Sequence, residues 1–213
     1  YMVELEFFKS MPEGIRKDAW FLTKVTMTGQ ERNPETGRYP LLNWDDPATN
    51  QKHPYWKKNI ESSDWVFNYD DGYYETKGIS SASGKTRMVF RYADILLLYA
   101  EAVAYGTKSI DDLAFDCMWR VQERAGVPLI SKDVTKEYFQ KAVLDERRWE
   151  TAGMEHSCMG RFFTMQRHEI LHLQKNYRDA AELSLNPNLT LSEEFYYFPI
   201  PDNELLIVPG LKD

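Results

Sequence analysis

Apolar residues are spaced in two different ways along this chain. Between Met88 and Ala152 they recur every three or four positions, the period of a helix with one buried side, whereas residues 1–87 hold no sustained period. The run Met88–Tyr105 is apolar on nearly every side, which predicts a helix buried between layers of other helices. Arg91, Asp94 and Glu101 interrupt it, and charges near a bilayer centre argue against a membrane span. Gly106 supplies the stop. Asp111 is a good cap for a second helix, with Leu113, Ala114, Cys117, Met118 and Val121 on one face, ended by Gly126 and Pro128. These two helices make a helical hairpin. Thr135 or Asp133 caps a third, which carries Tyr138, Phe139, Ala142, Val143, Trp149 and Ala152, with Gly153 available to break it. A fourth, less regular, is expected from about Cys158 to Tyr177. Beyond it Asn186-Pro187 signals a turn, and Pro199 and Pro201 hold Phe198-Pro-Ile-Pro extended.

Residues 1–87 read as mostly loop, because Gly, Pro, Asn and Asp are scattered through them and only Trp20–Thr28 alternates like a strand. Within them Asn43–Tyr74 holds Trp44, Tyr55, Trp56, Trp65, Phe67, Tyr69, Tyr73 and Tyr74. Asp45, Asp46, Asn50, His53, Asn59, Asp64, Asn68, Asp70 and Asp71 are interleaved with them. Loops longer than about 12–15 residues are usually functional or disordered, and a segment this aromatic does not suit disorder. Flat rings beside Asp and Asn are what a sugar site needs: a face for the apolar side of the pyranose and acceptors for its hydroxyls. Rings also form the mini-core of a long loop. For any one of them burial is the better reading, with one or two left to line an exposed platform.

Composition narrows the classes. The chain has 213 residues and a formal charge of -7, enough for one full domain or two small ones with a real core. With no long run of like charge, it does not read as a phosphate-tracking nucleic-acid binder. Cys117 and Cys158 lie far apart, with neither a Cys-x-x-Cys pair nor zinc-finger spacing, so neither a disulfide framework nor a structural zinc site is expected. The chain starts at Tyr1 with no signal-like segment after it, as a portion of a longer protein would.

His168-Glu169-Ile170-Leu171-His172 matches the His-Glu-x-x-His pattern of zinc peptidases, in which two imidazoles one helical turn apart hold the metal and the glutamate acts as base. That makes a zinc metallopeptidase the alternative function. A third ligand is required, and Glu182, Glu193, Glu194 and Glu204 are at hand without a spacing that singles one out. The competing reading is two ordinary histidines on a solvated helix face. No nucleophile elbow and no phosphate-binding Gly-rich loop is present. Glu146, Arg147, Arg148 and Glu150 crowd beside Trp149, and such a cluster reads as a paired network locking helices; Arg91, Asp94 and Glu101 read the same way. No cofactor is called for. Asp45-Asp46 and Asp70-Asp71 leave calcium open, although one acidic pair falls short of the roughly six to eight oxygens that ion takes.

Four stretches in order carry a resemblance. They are Phe90-Arg-Tyr-Ala-Asp-Ile-Leu-Leu-Leu-Tyr-Ala-Glu-Ala102, Arg120-Val-Gln-Glu-Arg-Ala-Gly-Val127, Glu146-Arg-Arg-Trp-Glu150, and Phe198-Pro-Ile-Pro201 with Glu204. Together they resemble the C-terminal half of SusD/RagB-family proteins. The motifs span about residues 85–213, and residues 1–84 correspond by position to the family's variable loops. The resemblance implies a mainly α protein: the C-terminal part of a helical, tetratricopeptide-bearing fold with long aromatic-rich loops and little sheet. Residues 1–87 would form a ligand surface and 88–213 a helical block with a Pro-containing tail, together one structural domain. It implies a non-catalytic glycan-binding lipoprotein at the surface of the outer membrane of Bacteroidetes-type bacteria. Such a protein would deliver nutrient to a SusC-like TonB-dependent transporter, held by an anchor that is not in this chain. The loop residues matching the family's ligand arc by region are Trp44, Tyr55, Trp56, Trp65 and Tyr69, with Asp45 and Asp46 as hydroxyl partners. After Glu150 the chain keeps Gly160, Arg161, Phe162 and Phe163 but has Thr164 and Met165 where the family usually has Asp-Leu.

Overall fold

The computed structural model describes residues 3–27, 30–49, 53–57, 65–68, 73–76, 89–153, 155–173, 180, 184, 200–208 and 210; for 65–68, 73–76 and 155–160 it describes the backbone alone. In chain order the elements are α1 (Leu5–Ser10), α2 (Ile15–Trp20), β1 (Phe21–Leu22), β2 (Lys24–Thr26), β3 (Leu41–Asn43), β4 (Tyr55–Trp56), β5 (Trp65–Asn68) and β6 (Tyr73–Thr76). They continue with α3 (Tyr92–Tyr105), α4 (Asp112–Ala125), α5 (Lys136–Thr151), α6 (Glu155–Arg167) and α7 (Asp202–Ile207). The described chain is mostly helical, with small two-stranded sheets.

The helix ends form where the capping residues predict. The Asp111 carboxylate accepts the Ala114 N–H at 2.8 Å, and Thr135 Oγ1 accepts the Tyr138 N–H at 3.2 Å. Gly126 closes α4 in the left-handed conformation at φ 69°. Helix α3, the first of the expected helices, begins at Tyr92 instead of Met88, because Asp94 reaches back 2.8 Å to the Arg91 N–H and fixes the first turn there.

Helix α3 packs against both α4 and α5. Its Ala93, Leu97, Ala100 and Ala104 face Ala114, Phe115, Cys117, Met118 and Val121 of α4 and Phe139 and Val143 of α5. The small alanines let the helices approach closely, and Phe115 meets Phe139 edge-on at 4.8 Å between ring centres. Burial pushes the Cys117 thiol up from its ordinary value, as suits a packing residue.

The expectation that α3 is buried on all sides is corrected. Asp94 and Glu101 lie on the buried face, while Tyr92 is 68% and Ile95 53% exposed. With α4 and α5 on one side only, the apolar run is divided into a core face and an open face. The fourth helix is also shorter than expected: α6 ends at Arg167, Glu169 takes a left-handed φ of 57°, and residues 171–173 make one tight turn. Asn186-Pro187 and the first part of the extended tail lie outside the described residues. Pro201 is extended, but α7 follows it directly, a helix that the proline pattern did not predict.

The first 87 residues hold more structure than the loop expected of them. The six-residue helices α1 and α2 are too short to show a period and owe their formation to packing. Val3, Phe7, Met11 and Phe21 form a second, smaller core, with Phe8, Trp20, Trp56, Trp149 and Ala152 against it. The predicted strand Trp20–Thr28 appears as β1 and β2 after Trp20 has closed α2. Strand β1 pairs antiparallel with β4 (Phe21 opposite Trp56), and β2 pairs with β3 (Val25 opposite Leu42). Strands β5 and β6 pair with Phe67 opposite Tyr74. Part of Asn43–Tyr74 is therefore sheet.

Candidate functional site

The aromatic candidates separate into different environments. Trp44 follows β3, and its N–H donates to the Thr23 carbonyl at 2.8 Å. Its half-buried ring stands edge-on to Phe8, 5.9 Å between centres. Asp45 beside it is exposed. Asp46 Oδ1 accepts the Ala48 N–H at 2.8 Å, and Thr49 Oγ1 donates to the Asp46 and Trp44 carbonyls at 2.9 and 3.1 Å. The Trp44–Thr49 turn is thus held by its own polar groups, which fixes where the Trp44 ring emerges.

Tyr55 and Trp56 lie on β4. The Trp56 ring packs against Phe21 and Phe7, at 5.0 and 5.9 Å. It also fills the space over Gly153, where an added Cβ would lie 2.6 Å from the ring. Trp56 therefore joins the small core to the end of α5. Tyr55 pairs with Leu22 and is half buried, so Trp44 and Tyr55 meet the adjacent residues Thr23 and Leu22 of one strand run. For Trp65 the structure gives only its backbone, opposite Thr76 on β5. Tyr69, Asp70 and Asp71 lie outside the described residues.

At the other end of the β2–β3 hairpin, residues 31–40 enclose an open cleft of about 520 Å3 whose walls include Glu31, Arg32, Asn33, Arg38 and Tyr39. The aromatic count did not single it out, because it holds one ring. The only sign in the sequence is a pair of arginines flanking the Asn33-Pro34 turn.

The peptidase pattern is corrected by the turn at its centre. A zinc pair needs His168 and His172 on one continuous helix face, but the helix stops at Arg167 and Glu169 is left-handed. His168 Nε2 lies 2.7 Å from the Glu101 carboxylate and its ring stacks 3.9 Å from Tyr105, while His172 is exposed. Among the described residues no three His, Cys, Asp or Glu side chains gather at metal-binding distance. Burial, with Arg167, Arg147 and Arg161 behind it, lowers the His168 pKa.

The charged motif residues converge on two buried networks. Glu150, 1% exposed, takes Arg16 at 3.2 Å, Arg91 at 2.8 Å and also Arg124. Its backbone carbonyl accepts a second bond from Arg91 at 2.9 Å. Glu146 pairs with Arg16, and burial pushes its carboxyl up from the ordinary value while Arg16 opposes that shift. One cluster thus fastens α2, α4 and α5 to the start of α3. The other gathers Arg147, Arg167 (2.5 Å) and His168 about Glu101, joining α3, α5 and the end of α6. Burial first, then Arg167, hold Arg147 down to about 10, still charged at neutral pH. The expected helix-locking role is what these residues have, and the lock reaches further, through Arg16, into the N-terminal part.

A helical hairpin with a third helix against it, pinned by buried ion pairs to an aromatic set of small sheets, defines a helical scaffold that carries loops on one portion. Residues 11–213 match the family model described as the SusD family, and the chain belongs to that family. It is 29% identical over 130 residues to the SusD-like protein P25 of Formosa agariphila, across 60% of this chain and 23% of that protein. The fold is similar to a SusD superfamily protein from Parabacteroides distasonis, with a TM-score of 0.64 and 18% identity over 98% of this chain and 40% of that one. A SusD homolog from Bacteroides thetaiotaomicron superposes with a TM-score of 0.52 and 18% identity over 91% of this chain and 39% of that one. The chain spans less than half the length of these relatives.

Proposed function

We propose that this chain is part of a non-catalytic, cell-surface glycan-binding protein that delivers oligosaccharide to a SusC-like TonB-dependent transporter in the outer membrane. The observation that carries the reading is the family match over residues 11–213. Its site falls on residues 1–87, with 88–213 as the scaffold. There Trp44 offers a half-buried ring on a self-braced turn, with the exposed Asp45 beside it and Tyr55 on the neighbouring strand. Asp46 and Trp56 take supporting roles, since the first holds the turn and the second is packed under Gly153. Trp65 and Tyr69 are assigned to the same site from the sequence pattern alone.

Sugar stacking and hydroxyl bonding need no cofactor, so binding should survive EDTA; a loss that calcium restores would assign the acidic pairs to a metal. The direct test is titration against a panel of oligosaccharides, followed by Trp44→Ala. Saturable binding that the variant weakens supports the reading, and a chain that binds no member of the panel overturns it.

A further inference from the structure

We propose that Phe8 is a positioning residue for the glycan site: its ring holds the Trp44 indole in the orientation on which a sugar stacks. This rests on the glycan-binding reading above and deepens it by making α1 part of the site. Adjacent residues on a helix point about 100° apart, so Phe7 and Phe8 cannot serve one contact. Phe7 is buried in the small core with Val3 and Met11, whereas Phe8 is half buried and reaches Trp44, at the end of the β2–β3 hairpin. The polar bonds of the Trp44–Thr49 turn fix the backbone of Trp44 and leave its side-chain torsions open. The ring contact is what limits those torsions. Phe8 and Trp44 stand 5.9 Å apart with 79° between their planes, an edge-to-face arrangement that aromatic pairs favour.

Phe8 acts as a fixed stop because two other groups hold it. Phe21, buried in β1, meets it edge to face at 5.1 Å and 82°. Lys17, on α2, sets its ammonium over the Phe8 ring, 4.5 Å from the centre. That ammonium is buried and tied down in turn: it donates to the Met11 carbonyl at 3.1 Å and pairs with Glu13 at 2.6 Å. Helices α1 and α2 thus grip one ring, which passes their fixed geometry on to Trp44. A side chain already held loses little freedom when a ligand settles on it, so a residue behind the stacking ring raises affinity without touching the sugar.

The test pairs binding with a measurement that needs no ligand. Phe8→Leu keeps an apolar side chain in place, with circular dichroism and the urea midpoint showing that it is folded; Phe8→Met takes its place if leucine is not tolerated. Titrated with the oligosaccharide of the panel that the wild-type chain binds best, Phe8→Leu should bind roughly 2- to 10-fold more weakly, the cost of immobilising one side chain. Phe8→Tyr, which keeps the ring, should recover that loss. Added to Trp44→Ala, Phe8→Leu should weaken binding no further, since its effect passes through Trp44. The heteronuclear NOE of the Trp44 indole N–H, a signal assigned by its disappearance in Trp44→Ala, should fall in Phe8→Leu while the other indole signals keep theirs. An unchanged NOE, an unchanged affinity, or equal weakening with and without Trp44 overturns the positioning role and leaves the glycan reading standing. Absence of any binding by the wild-type chain overturns the glycan reading and this role with it, an outcome that the NOE separates from a failure of the ring contact.

Discussion

The helical block and the strand-bearing N-terminal part solve the same problem by different means. In α3, α4 and α5 the core is a row of small and apolar residues at helical spacing, and the charges that join these helices are buried and shared, with Glu150 serving three arginines. In the N-terminal part each element is too short to stand alone, and rings take the place of helix ridges: Phe7 and Phe8 stand edge to face on Phe21, and Trp56 lies tilted against Phe7 and Phe21. The block is therefore defined by local sequence, whereas the aromatic part is defined by what it is pinned to. Arg16 and Gly153 are two of the pins, one through charge and the other through the space it leaves for Trp56.

The sharpest way to break the contrast is at Glu150. Glu150→Ala leaves Arg16, Arg91 and Arg124 gathered about an absent carboxylate, and should destabilise the chain by about 3–5 kcal/mol, read as the shift of the urea midpoint. If the midpoint barely moves, the network is ornamental and the two parts are held by apolar contact alone. Trp56→Ala should cost about 2–4 kcal/mol, through lost packing on Phe7 and Phe21. Gly153→Ala should cost about 2 kcal/mol, since the new methyl meets the Trp56 ring and the backbone is left-handed at φ 66°. Trp fluorescence should shift in Gly153→Ala, because the Trp56 ring must move.

Trp44→Ala sharpens the comparison from the other side. It should leave the urea midpoint nearly in place and weaken oligosaccharide binding about 3- to 10-fold, the value of one ring contact. The smallest effect is that of pH. The His168 pKa is lowered from the 6.5 of a free imidazole, so the unfolded chain binds more protons near that value, and stability rises with pH through it. Acidifying from pH 7.5 to 5.5 should lower the melting temperature, and His168→Gln should flatten that slope. The groups facing the ring, Glu101, Tyr105, Arg147, Arg161 and Arg167, stay in place in the variant.

How much was legible in the sequence follows the same division. Asp111, Gly126 and Thr135 mark helix ends because capping is a contact within three or four residues, and the helices end there. The clustering of Glu146, Arg147, Arg148 and Glu150 was readable as a lock, but Arg16, 130 residues away from Glu146, carried no sign of belonging to it. Helices α1 and α2 left no period to read. The His168–His172 pattern looked helical because its spacing is helical, and only the termination at Arg167 shows that its two rings do not share a face.

For the proposed site, composition alone pointed to the segment, since rings interleaved with Asp and Asn are legible as residues. It could not tell a displayed ring from a packed one. Trp44 and Trp56 are both half buried, and they differ because one opens a self-braced turn while the other packs over Gly153 between two parts of the chain. Local signals, the caps, the helical period and the motif order, determined the helical block and its family, since each depends on neighbours a turn away. Tertiary structure alone decided which face of α3 is buried, what Trp56 packs against and where Arg16 finds its carboxylates, because each depends on residues far apart in the chain and on the space left between them.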